Sequence, residues 1–508
     1  MMKLKMDIFA ETIKKNIVMK PLYLLVFFFF SFSTSAQNQL GGDIDGEFSG
    51  DESGWAVSSS SDGNIIAIGA RRNSGNGSES GSVRVYQYSN GIWIQLGSDI
   101  DGEASDDQSG WAVSLSSDGT ILAIGAIKND GNGNNSGHVR VYEFVNSNWI
   151  QLGGDINGAA SGDWFGYSLS LSDNGTILAI GAYLSDVNGN RSGQVKVYEY
   201  SNNTWAQLGS DINGEAANHY SGASVSLSDD GSILAIGASK VNMGGGRVKV
   251  YKYNNVIGSW VQRGYDLDGL GGDNFGRSVS LSSDGTILAV GGDEHDGNGT
   301  NSGYVKVYEF VIGAGWTQLG SDIDGDGSYH YFGYSVSLSD DGSSVAIGAK
   351  GYPGGGNVRV YEYSNATWIQ LGNDIGGEGS GDESGWAVSL SSDGTVLAIG
   401  APFNDGSGND AGHVRVFDLG STSTFIEQSF ENSSLTYPNP NSGLFSIQVD
   451  QEHIGSSYQI LDNLGRLIDK GIIRELSQDF DLSDKPKGVY RIQVSNEKSL
   501  KTVNVVIE

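Results

Sequence analysis

Apolar and polar residues alternate in short segments along most of the chain. In one unit, "WAVSLS" (111–116) is followed by "SDG", then by "TILAIGA" (120–126), "HVRVYEF" (138–144) and "WIQLG" (149–153). Period-two alternation between Gly- and Asp-rich turns predicts β-strands, and Asp-Gly predicts a tight hairpin. The nearly unbroken apolar run at 120–126 predicts a strand that is covered on both faces. The unit therefore predicts four short antiparallel strands.

This unit occurs seven times. The word Gln-(Leu/Arg)-Gly begins at Gln39, Gln95, Gln151, Gln207, Gln262, Gln318 and Gln370, at intervals of 52 to 56 residues. A period of this length indicates a propeller or a solenoid, and four-stranded units without helical segments favour propeller blades. The fold class that we predict is all-β, with a seven-bladed β-propeller over residues 37–420.

The two ends of the repeat complement each other. No "WIQLG" strand follows the seventh "HVRVFDLG" (413–420), whereas "QNQLGGDI" (37–44) has no blade before it. We expect residues 37–44 to pair with the strand at 413–418 and to supply the outer strand of the seventh blade. Such a closure would remove open sheet edges, which otherwise promote aggregation.

Composition narrows the possible partners. The chain has 60 acidic and 30 basic residues, a formal net charge of −30. A nucleic-acid or anionic-membrane partner is excluded because both require a basic surface. The chain has no cysteine, which excludes disulfides, thiolate metal sites and a cysteine nucleophile.

The first 36 residues have the pattern of a secretory signal peptide. An apolar block (21–36) follows Lys14, Lys15 and Lys20 and ends in small residues. Met19 is an alternative initiation residue that would give a shorter signal peptide. A transmembrane anchor is the alternative, but the apolar run is shorter than the ~20 residues that a span needs. We expect the mature chain to begin at Gln37 and to have no transmembrane span.

Four segments share a recurring pattern: "FGYSLSLS" (165–172), "FGRSVSLS" (275–282), "FGYSVSLS" (332–339) and "GAP" (400–402). They resemble FG-GAP repeats, the blade units of integrin-alpha-like propellers. The resemblance implies a propeller over 37–420. In calcium-binding members the first hairpin of a blade holds the ion, but alignment on Asp118-Gly119 places Ser114, Ser116 and Leu122 at the ligand positions. That calcium site is therefore not carried over.

The acidic residues lie instead in the long loops, which blade topology brings to one face of the propeller. Carboxylates on nearly alternate residues offer hard oxygen ligands, and this pattern predicts a Ca²⁺ site there. Solvated turns that keep a secreted protein soluble are the alternative. The candidate metal ligands are Asp43, Asp45, Glu47, Asp51, Asp99, Asp101 and Glu103, and the candidate ligand-binding residues include Asp99, Asp101, Glu103 and Asp107.

Two blades deviate most from the repeat, and they supply the other candidate binding residues: His295, Tyr329, His330 and Tyr331. We expect His138 and His413, which share one repeat position, to be strand-edge residues. One Trp recurs at the outer strand, and we expect it to pack between blades or to cover the rim, with sugar stacking as the alternative. This set is Trp93, Trp149, Trp205, Trp260, Trp316 and Trp368. Carboxylates are too abundant for any pair to indicate catalysis, and we assign no catalytic residue.

The period stops after Gly420. Residues 421–432 read as a linker, and residues 433–508 closely resemble the C-terminal sorting domain of the type IX secretion system. The matching words are "YPNP" (437–440), "GVY" (488–490) and "KTVNVVIE" (501–508). The resemblance implies a small β-sandwich-like domain that engages the type IX machinery and directs the protein to the cell surface or the medium. An accessory β-sandwich is the alternative.

These features leave three classes of function. We favour a secreted or cell-surface binding and adhesion propeller that recognises protein or glycan through the acidic, Gly/Asn-rich loop face. A secreted polysaccharide-active or oxidative enzyme is the first alternative, and a structural surface or matrix protein is the second. An enzyme should interrupt the repeat in one blade with several reactive residues, and the sequence shows little of this.

Overall fold

The computed structural model describes residues 37–420, 436–437, 444–448, 454–461, 466–483, 485–496 and 499–507. The predicted signal peptide (1–36) and linker (421–432) lie outside the described residues. The chain divides into two compact units, with the boundary between Leu419 and Gly420. No helix of the described residues is long and apolar enough to cross a membrane.

The first unit contains seven antiparallel sheets, the blades. We number them by their residues: blade 1 (53–101), blade 2 (109–157), blade 3 (165–213), blade 4 (221–268), blade 5 (278–324), blade 6 (332–376) and blade 7 (387–418 with 38–45). The first, innermost strands are Ser53–Ser59, Ser109–Leu115, Phe165–Leu171, Ser221–Leu227, Ser278–Leu281, Phe332–Leu338 and Ala387–Leu390. The second strands are Ile65–Ala70, Ile121–Ala126, Ile177–Ala182, Ile233–Ala238, Ile287–Gly292, Ser344–Ala349 and Val396–Ala401.

The outer half of each blade follows the same plan. The third strands are Ser82–Ser89, His138–Val145, Gln194–Ser201, Arg247–Asn254, Tyr304–Val311, Asn357–Ser364 and His413–Asp418. The fourth strands are Ile92–Gln95, Asn148–Gln151, Thr204–Gln207, Ser259–Gln262, Gly315–Gln318, Thr367–Gly376 and Asn38–Gln39. Two-residue continuations also pair with the third strands: Ile100–Asp101, Ile156–Asn157, Ile212–Asn213, Leu267–Asp268, Ile323–Asp324 and Ile44–Asp45. A four-residue helix, Val241–Gly244, follows the second strand of blade 4.

The predicted closure is confirmed. Asn38 and Gln39 pair with the last strand of blade 7, and Ile44 pairs with Val414 further along it. Ile44 is 4% exposed and belongs to a core cluster that joins blade 7 to Ile66 and Ile68 of blade 1. The N-terminal segment therefore completes blade 7 and closes the ring.

The apolar core lies between neighbouring blades. Residues of the second strands, such as Leu122 and Leu178, are fully buried, as the unbroken apolar runs predict. The recurring outer Trp side chains also join blades. The indole N–H of Trp149 donates to the carbonyl of Leu96 at 2.9 Å, and the other five indoles make the equivalent bond. Their repeated position thus serves packing between blades.

The two faces of the propeller differ. On the hairpin face, the backbone N–H of Ser61 donates to the carbonyl of Ser117, and equivalent bonds continue from blade to blade until Ser392 donates back to Ser61. These seven bonds form a closed ring around the axis. The connections between the second and third strands and between blades lie on the opposite face, which we call the loop face.

The second unit is also a β structure. One three-stranded sheet contains Thr436–Tyr437, Leu444–Gln448 and Ser477–Asp481, and a four-stranded sheet contains Ser457–Leu461, Leu467–Ile472, Gly488–Asn496 and Ser499–Ile507. Phe445, Phe480 and Tyr490 are among the residues of its core. The sheets account for the small β-domain that the sequence predicts here.

Candidate functional site

The residue after the Gly of each Ser-Gly or Phe-Gly pair, at or just before the start of each innermost strand, lines the central channel near the loop face. This set is Trp55, Trp111, Tyr167, Ala223, Arg277, Tyr334 and Trp386. We call its five aromatic members the aromatic girdle. They come from blades 6, 7, 1, 2 and 3 in succession and are partly exposed. Ala223 and Arg277 occupy the remaining two blades, so that the channel has an aromatic side and a small, cationic side.

A left-handed turn places each of these residues. In every blade the residue three positions earlier has a positive φ, between 53° and 59°, although none of the seven is glycine. The N–H of Trp55 donates to the carbonyl of Glu52 at 3.2 Å, and the same bond joins Trp111 to Gln108. The turn residues are Glu52, Gln108, Trp164, Tyr220, Asn274, Tyr331 and Glu383. Strained backbone of this kind concentrates at functional sites, and here it lies three residues before each residue that lines the channel.

The girdle is continuous. The ring centroids of Trp55 and Trp386 are 4.3 Å apart, those of Trp55 and Trp111 are 5.1 Å apart, and those of Trp111 and Tyr167 are 5.5 Å apart. Tyr334 extends the row with its centroid 4.9 Å from that of Trp386. Aromatic pairs at such separations attract each other beyond the gain from burial. The row is therefore a fixed surface of ring faces and edges.

Blade 3 widens this surface. Tyr183 stacks on Tyr167 with the centroids 4.2 Å apart and the planes 11° apart, and Tyr220 lies 4.9 Å from Tyr183. Trp164 lies 6.1 Å from Trp111. The aromatic surface thus extends from the channel towards the connection between blades 3 and 4.

Cations pack on the girdle rings. The Arg71 guanidinium lies 3.4 Å from the ring centroid of Trp55 and forms an ion pair with Glu52 at 2.6 Å. The Lys350 ammonium lies 4.2 Å from the ring centroid of Trp386. Burial lowers the pKa of Lys350, as expected where water is partly excluded. Cation–π contacts of this type stabilise the observed ring positions.

The channel below the girdle contains a cavity of about 470 Å³. Its walls are the girdle residues and the two residues that follow each of them, including Ala56, Val57 and Ser168. A volume of this size is within the range of small-molecule sites. The mouth of the channel can therefore accept one end of a ligand between the aromatic rings.

Two of the predicted acidic residues are structural. Asp107 is 4% exposed, and its carboxylate accepts hydrogen bonds from the N–H of Ala104 and the amide of Asn129, both at 3.0 Å. Asp51 makes the equivalent bonds in blade 1. Each carboxylate thus links the connection that enters its blade to the loop between the second and third strands of the same blade.

The other predicted acidic residues do not converge. Asp99 accepts a hydrogen bond from the side chain of Gln95 at 2.6 Å, and Asp43 makes the same bond with Gln39. The backbone carbonyls of Asp45 and Asp101 accept hydrogen bonds from Arg84 and Arg140. Glu47 and Glu103 lie near the same two guanidinium groups, at 3.7 and 3.5 Å. Among the described residues, Asp43 and Glu103 fall into two separate clusters, Asp43–Glu378–His413 and Glu103–His138–Asp155.

The deviating histidines replace other polar residues of the repeat. His295 occupies the place of Asn129 in blade 2, and its Nδ1 lies 2.9 Å from the carboxylate of Asp273. His330 occupies the place of Asp107, and its Nδ1 lies 2.8 Å from Asp326. His295 thus keeps the hydrogen bond between the two loops, whereas in blade 6 a ring contact of His330 with Tyr352, at 4.6 Å between centroids, takes its place.

The two predicted tyrosines beside His330 differ in position. Tyr329 is 56% exposed. Tyr331 is one of the left-handed turn residues at the channel entrance, and its ring lies 5.8 Å from the Lys350 ammonium. Of the predicted binding residues, Tyr331 is the one that the structure brings to the girdle.

Sequence reasoning missed the girdle. The signal was present, because the residue after "SG" or "FG" varies among Trp, Tyr, Ala and Arg while the residues around it are nearly constant. A position that differs from blade to blade within a constant repeat is where an asymmetric ligand would be recognised.

Comparison with known protein families agrees with the fold. The FG-GAP repeat family matches residues 99–142, 157–198 and 265–308. The secretion system C-terminal sorting domain matches residues 435–508. No curated protein matches the chain.

Two solved structures match the chain at low identity. One is described as a 6-phosphogluconolactonase from Bacteroides uniformis, with 11% identity, a TM-score of 0.46, and coverage of 65% of this chain and 87% of that one. Another is U3-55K, with 14% identity, a TM-score of 0.44, and coverage of 75% of this chain and 98% of that one. At these values neither likeness bears on ligand or activity.

The sorting domain directs export by the type IX system to the cell surface or the medium. The match also implies contact with the secretion machinery. The chain is thus a secreted or surface-exposed seven-bladed β-propeller that contains FG-GAP repeats, matched at residues 99–142, 157–198 and 265–308, followed by a type IX C-terminal sorting domain.

Proposed function

We propose that the protein is a glycan-binding propeller and that the aromatic girdle at the loop-face mouth of the channel is its binding site. The observation that carries this proposal is the row of five partly exposed aromatic rings on consecutive blades. The apolar C–H face of a pyranose packs flat on an indole or phenol ring. Its hydroxyl groups then remain at the edge, where they can reach polar side chains.

Polar groups stand beside the rings. Glu383 is partly exposed and lies beside Lys350, and Arg71, Arg277 and Lys350 place donors next to the rings. Carboxylate and guanidinium groups match the paired hydroxyls of a sugar, because each offers two acceptors or donors in fixed geometry. The combination of ring faces with convergent polar groups is typical of small-ligand sites.

The charge of the chain favours a neutral ligand. With a formal net charge of −30, the protein repels polyanions at long range. The cations of the girdle do not reverse this, because Arg71 is paired with Glu52 and Lys350 lies 3.4 Å from Glu383. A neutral oligosaccharide fits these charges better than a sulfated or uronic-acid polymer.

The ion pairs also favour binding over hydrolysis. A glycosidase needs one carboxyl group that carries a proton and one that is ionised. Glu52 contacts both Arg71 and Arg72, at 2.6 and 3.1 Å, and Glu383 contacts Lys350. Both carboxylates are thus occupied as ion-pair partners of neighbouring cations.

A glycan array tests the proposal, with the chain from Gln37 to Glu508 as the probe. The affinity of the best neutral oligosaccharide is then measured by calorimetry for the wild type and for Trp111→Ala. We expect the variant to bind about tenfold more weakly, which corresponds to a loss of about 1.4 kcal/mol.

Phe48→Ala is the matched control, because Phe48 is an aromatic residue that is 67% exposed and lies in a loop-face connection outside the girdle. The control should bind like the wild type, and thermal unfolding of each variant verifies the fold. Absence of any bound glycan on the array, or equal affinity of Trp111→Ala and Phe48→Ala, would contradict the proposal.

A further inference from the structure

Two clusters of one histidine and two carboxylates occur at the same repeat position in blades 2 and 7. The first contains His138, Glu103 and Asp155, and the second contains His413, Glu378 and Asp43. In each cluster, one potential ligand atom from each residue lies within 4.8 Å of the other two. The histidine begins the third strand, the glutamate comes from the connection that enters the blade, and the aspartate follows the fourth strand.

The two histidines are buried, whereas the carboxylates beside them are exposed. His138 and His413 are each 1% exposed, and Nε2 of His413 has no hydrogen-bond partner among the described residues. Nδ1 of His138 lies 3.8 Å from Oε2 of Glu103, which is too long for a hydrogen bond. The imidazole therefore faces two carboxylates without a direct bond to Glu103.

Neighbouring side chains orient the carboxylates. Arg140 lies 3.5 Å from Oε1 of Glu103, so that Oε2 remains directed towards His138. Gln151 donates to Oδ1 of Asp155 at 2.7 Å. In blade 7, Arg415 and Gln39 make the equivalent contacts with Glu378 and Asp43. Outer contacts of this type position metal ligands in proteins.

Blades 3, 4 and 6 carry a hydrogen-bond donor at the histidine position. Gln194 donates to Asp211 at 3.1 Å, and Asn357 donates to Asp374 at 2.8 Å. In blade 4, Arg247 pairs with Glu215 and Asp266 at 2.8 and 2.9 Å. In those three blades the carboxylates already have a donor. In blades 2 and 7 the histidine does not supply such a donor, and a region of negative potential remains between the two carboxylates.

We propose that these two clusters are equivalent sites for a divalent transition-metal ion, Zn²⁺, with His138–Glu103–Asp155 and His413–Glu378–Asp43 as the protein ligands. One nitrogen and two oxygens suit Zn²⁺, which takes imidazole and carboxylate ligands at about 2.0 to 2.2 Å. Ca²⁺ instead takes six to eight oxygen ligands. Ligand atoms around a tetrahedral Zn²⁺ are about 3.3 Å apart, so the exposed carboxylates need to move by only a fraction of an ångström to about 1.5 Å. A water molecule would fill the fourth position.

The site in blade 7 joins the two ends of the propeller. Asp43 belongs to the closing N-terminal segment, and His413 begins the last strand. A metal ion would bind at this site only in the closed ring, because closure brings Asp43 next to His413. It would therefore stabilise the closure by mass action.

Calorimetric titration of the metal-free chain from Gln37 to Glu508 with Zn²⁺ tests the inference. We expect two ions per chain and a rise in the melting temperature. His413→Gln should bind one ion, and the double variant His138→Gln/His413→Gln should bind none at these sites. Glutamine is the residue that blade 3 carries at this position, so the fold should tolerate the change.

His219→Gln is the matched control, because His219 belongs to neither cluster; it should still bind two ions. Glu103→Gln/Glu378→Gln, which changes only exposed residues, should weaken binding of both ions by more than about tenfold. Unchanged stoichiometry in the double histidine variant, or binding of Ca²⁺ as tight as that of Zn²⁺, would overturn the proposal. These outcomes are independent of glycan binding.

Discussion

The closure of the ring by the N-terminal segment can be tested with one buried side chain. Ile44 is 4% exposed and packs with Ile66, Ile68, Val414 and Val416 between blades 7 and 1. Ile44→Ala removes this side chain and leaves a cavity, which in buried positions costs about 2 to 5 kcal/mol. We expect a loss of about 3 kcal/mol in the free energy of unfolding. With an unfolding entropy of about 2.1 cal/mol/K per residue, this lowers the melting temperature of a unit of this size by roughly 4 °C.

Ile156→Ala provides the matched control. Ile156 has the same repeat position in blade 2, is 5% exposed and packs in the equivalent cluster, but its blade is built from one continuous segment. Denaturant unfolding of both variants should give equal losses of stability. If Ile44→Ala stays within about 0.5 kcal/mol of the wild type while Ile156→Ala is destabilised, the N-terminal strand does not dock as described.

Three further predictions concern pH, the deviating blade and export. Burial and the charges of Asp340 and Asp173 raise the pKa of Asp229 from 3.8 to about 6. The ionised carboxylate therefore lowers the free energy of unfolding above pH 6, and this loss of stability disappears as the pH falls towards 4. Asp229→Asn should therefore raise the free energy of unfolding by about 1 kcal/mol at pH 7.5, after allowance for partial exposure, and should leave it almost unchanged at pH 4. Equal effects of the substitution on urea unfolding at the two pH values would contradict this. His295→Asn should keep the bond to Asp273 and the stability of the wild type, whereas His295→Ala should cost about 1 to 2 kcal/mol in thermal unfolding; equal losses would show that the bond is unimportant. A chain truncated after Gly420 should remain in the periplasm when cell fractions are compared, and its delivery to the surface in normal amount would show that the sorting domain is dispensable.

The sequence was sufficient for the fold because its signals are local and repeated. Alternating segments, Asp-Gly hairpins and the unbroken run at 120–126 each specify a strand or turn without knowledge of the rest of the chain. The missing outer strand after 413–420 and the surplus segment at 37–44 then leave only one closure. Seven copies of one unit make such an inference robust to variation in any single copy.

The site could not be predicted in the same way. The carboxylate of Asp107 is occupied by Asn129, which lies 22 residues later in another loop, and composition does not reveal such a partner. The convergence of Trp55 with Trp386 depends on closure of the ring, since these residues come from opposite ends of the propeller sequence. His138 begins a strand, as expected, but its two carboxylate neighbours come from the connections on either side. Contacts between distant loops require the three-dimensional structure.

The proposed glycan site is tested most directly by a crystal structure of the chain from Gln37 to Glu508 with the tightest neutral oligosaccharide from the array. We predict a sugar ring stacked on Trp111 or Tyr167, with its hydroxyl groups near Arg71 or Arg277 at the mouth of the channel. An oligosaccharide bound at the outer rim, beside Trp149 or elsewhere away from the girdle, would contradict the proposal.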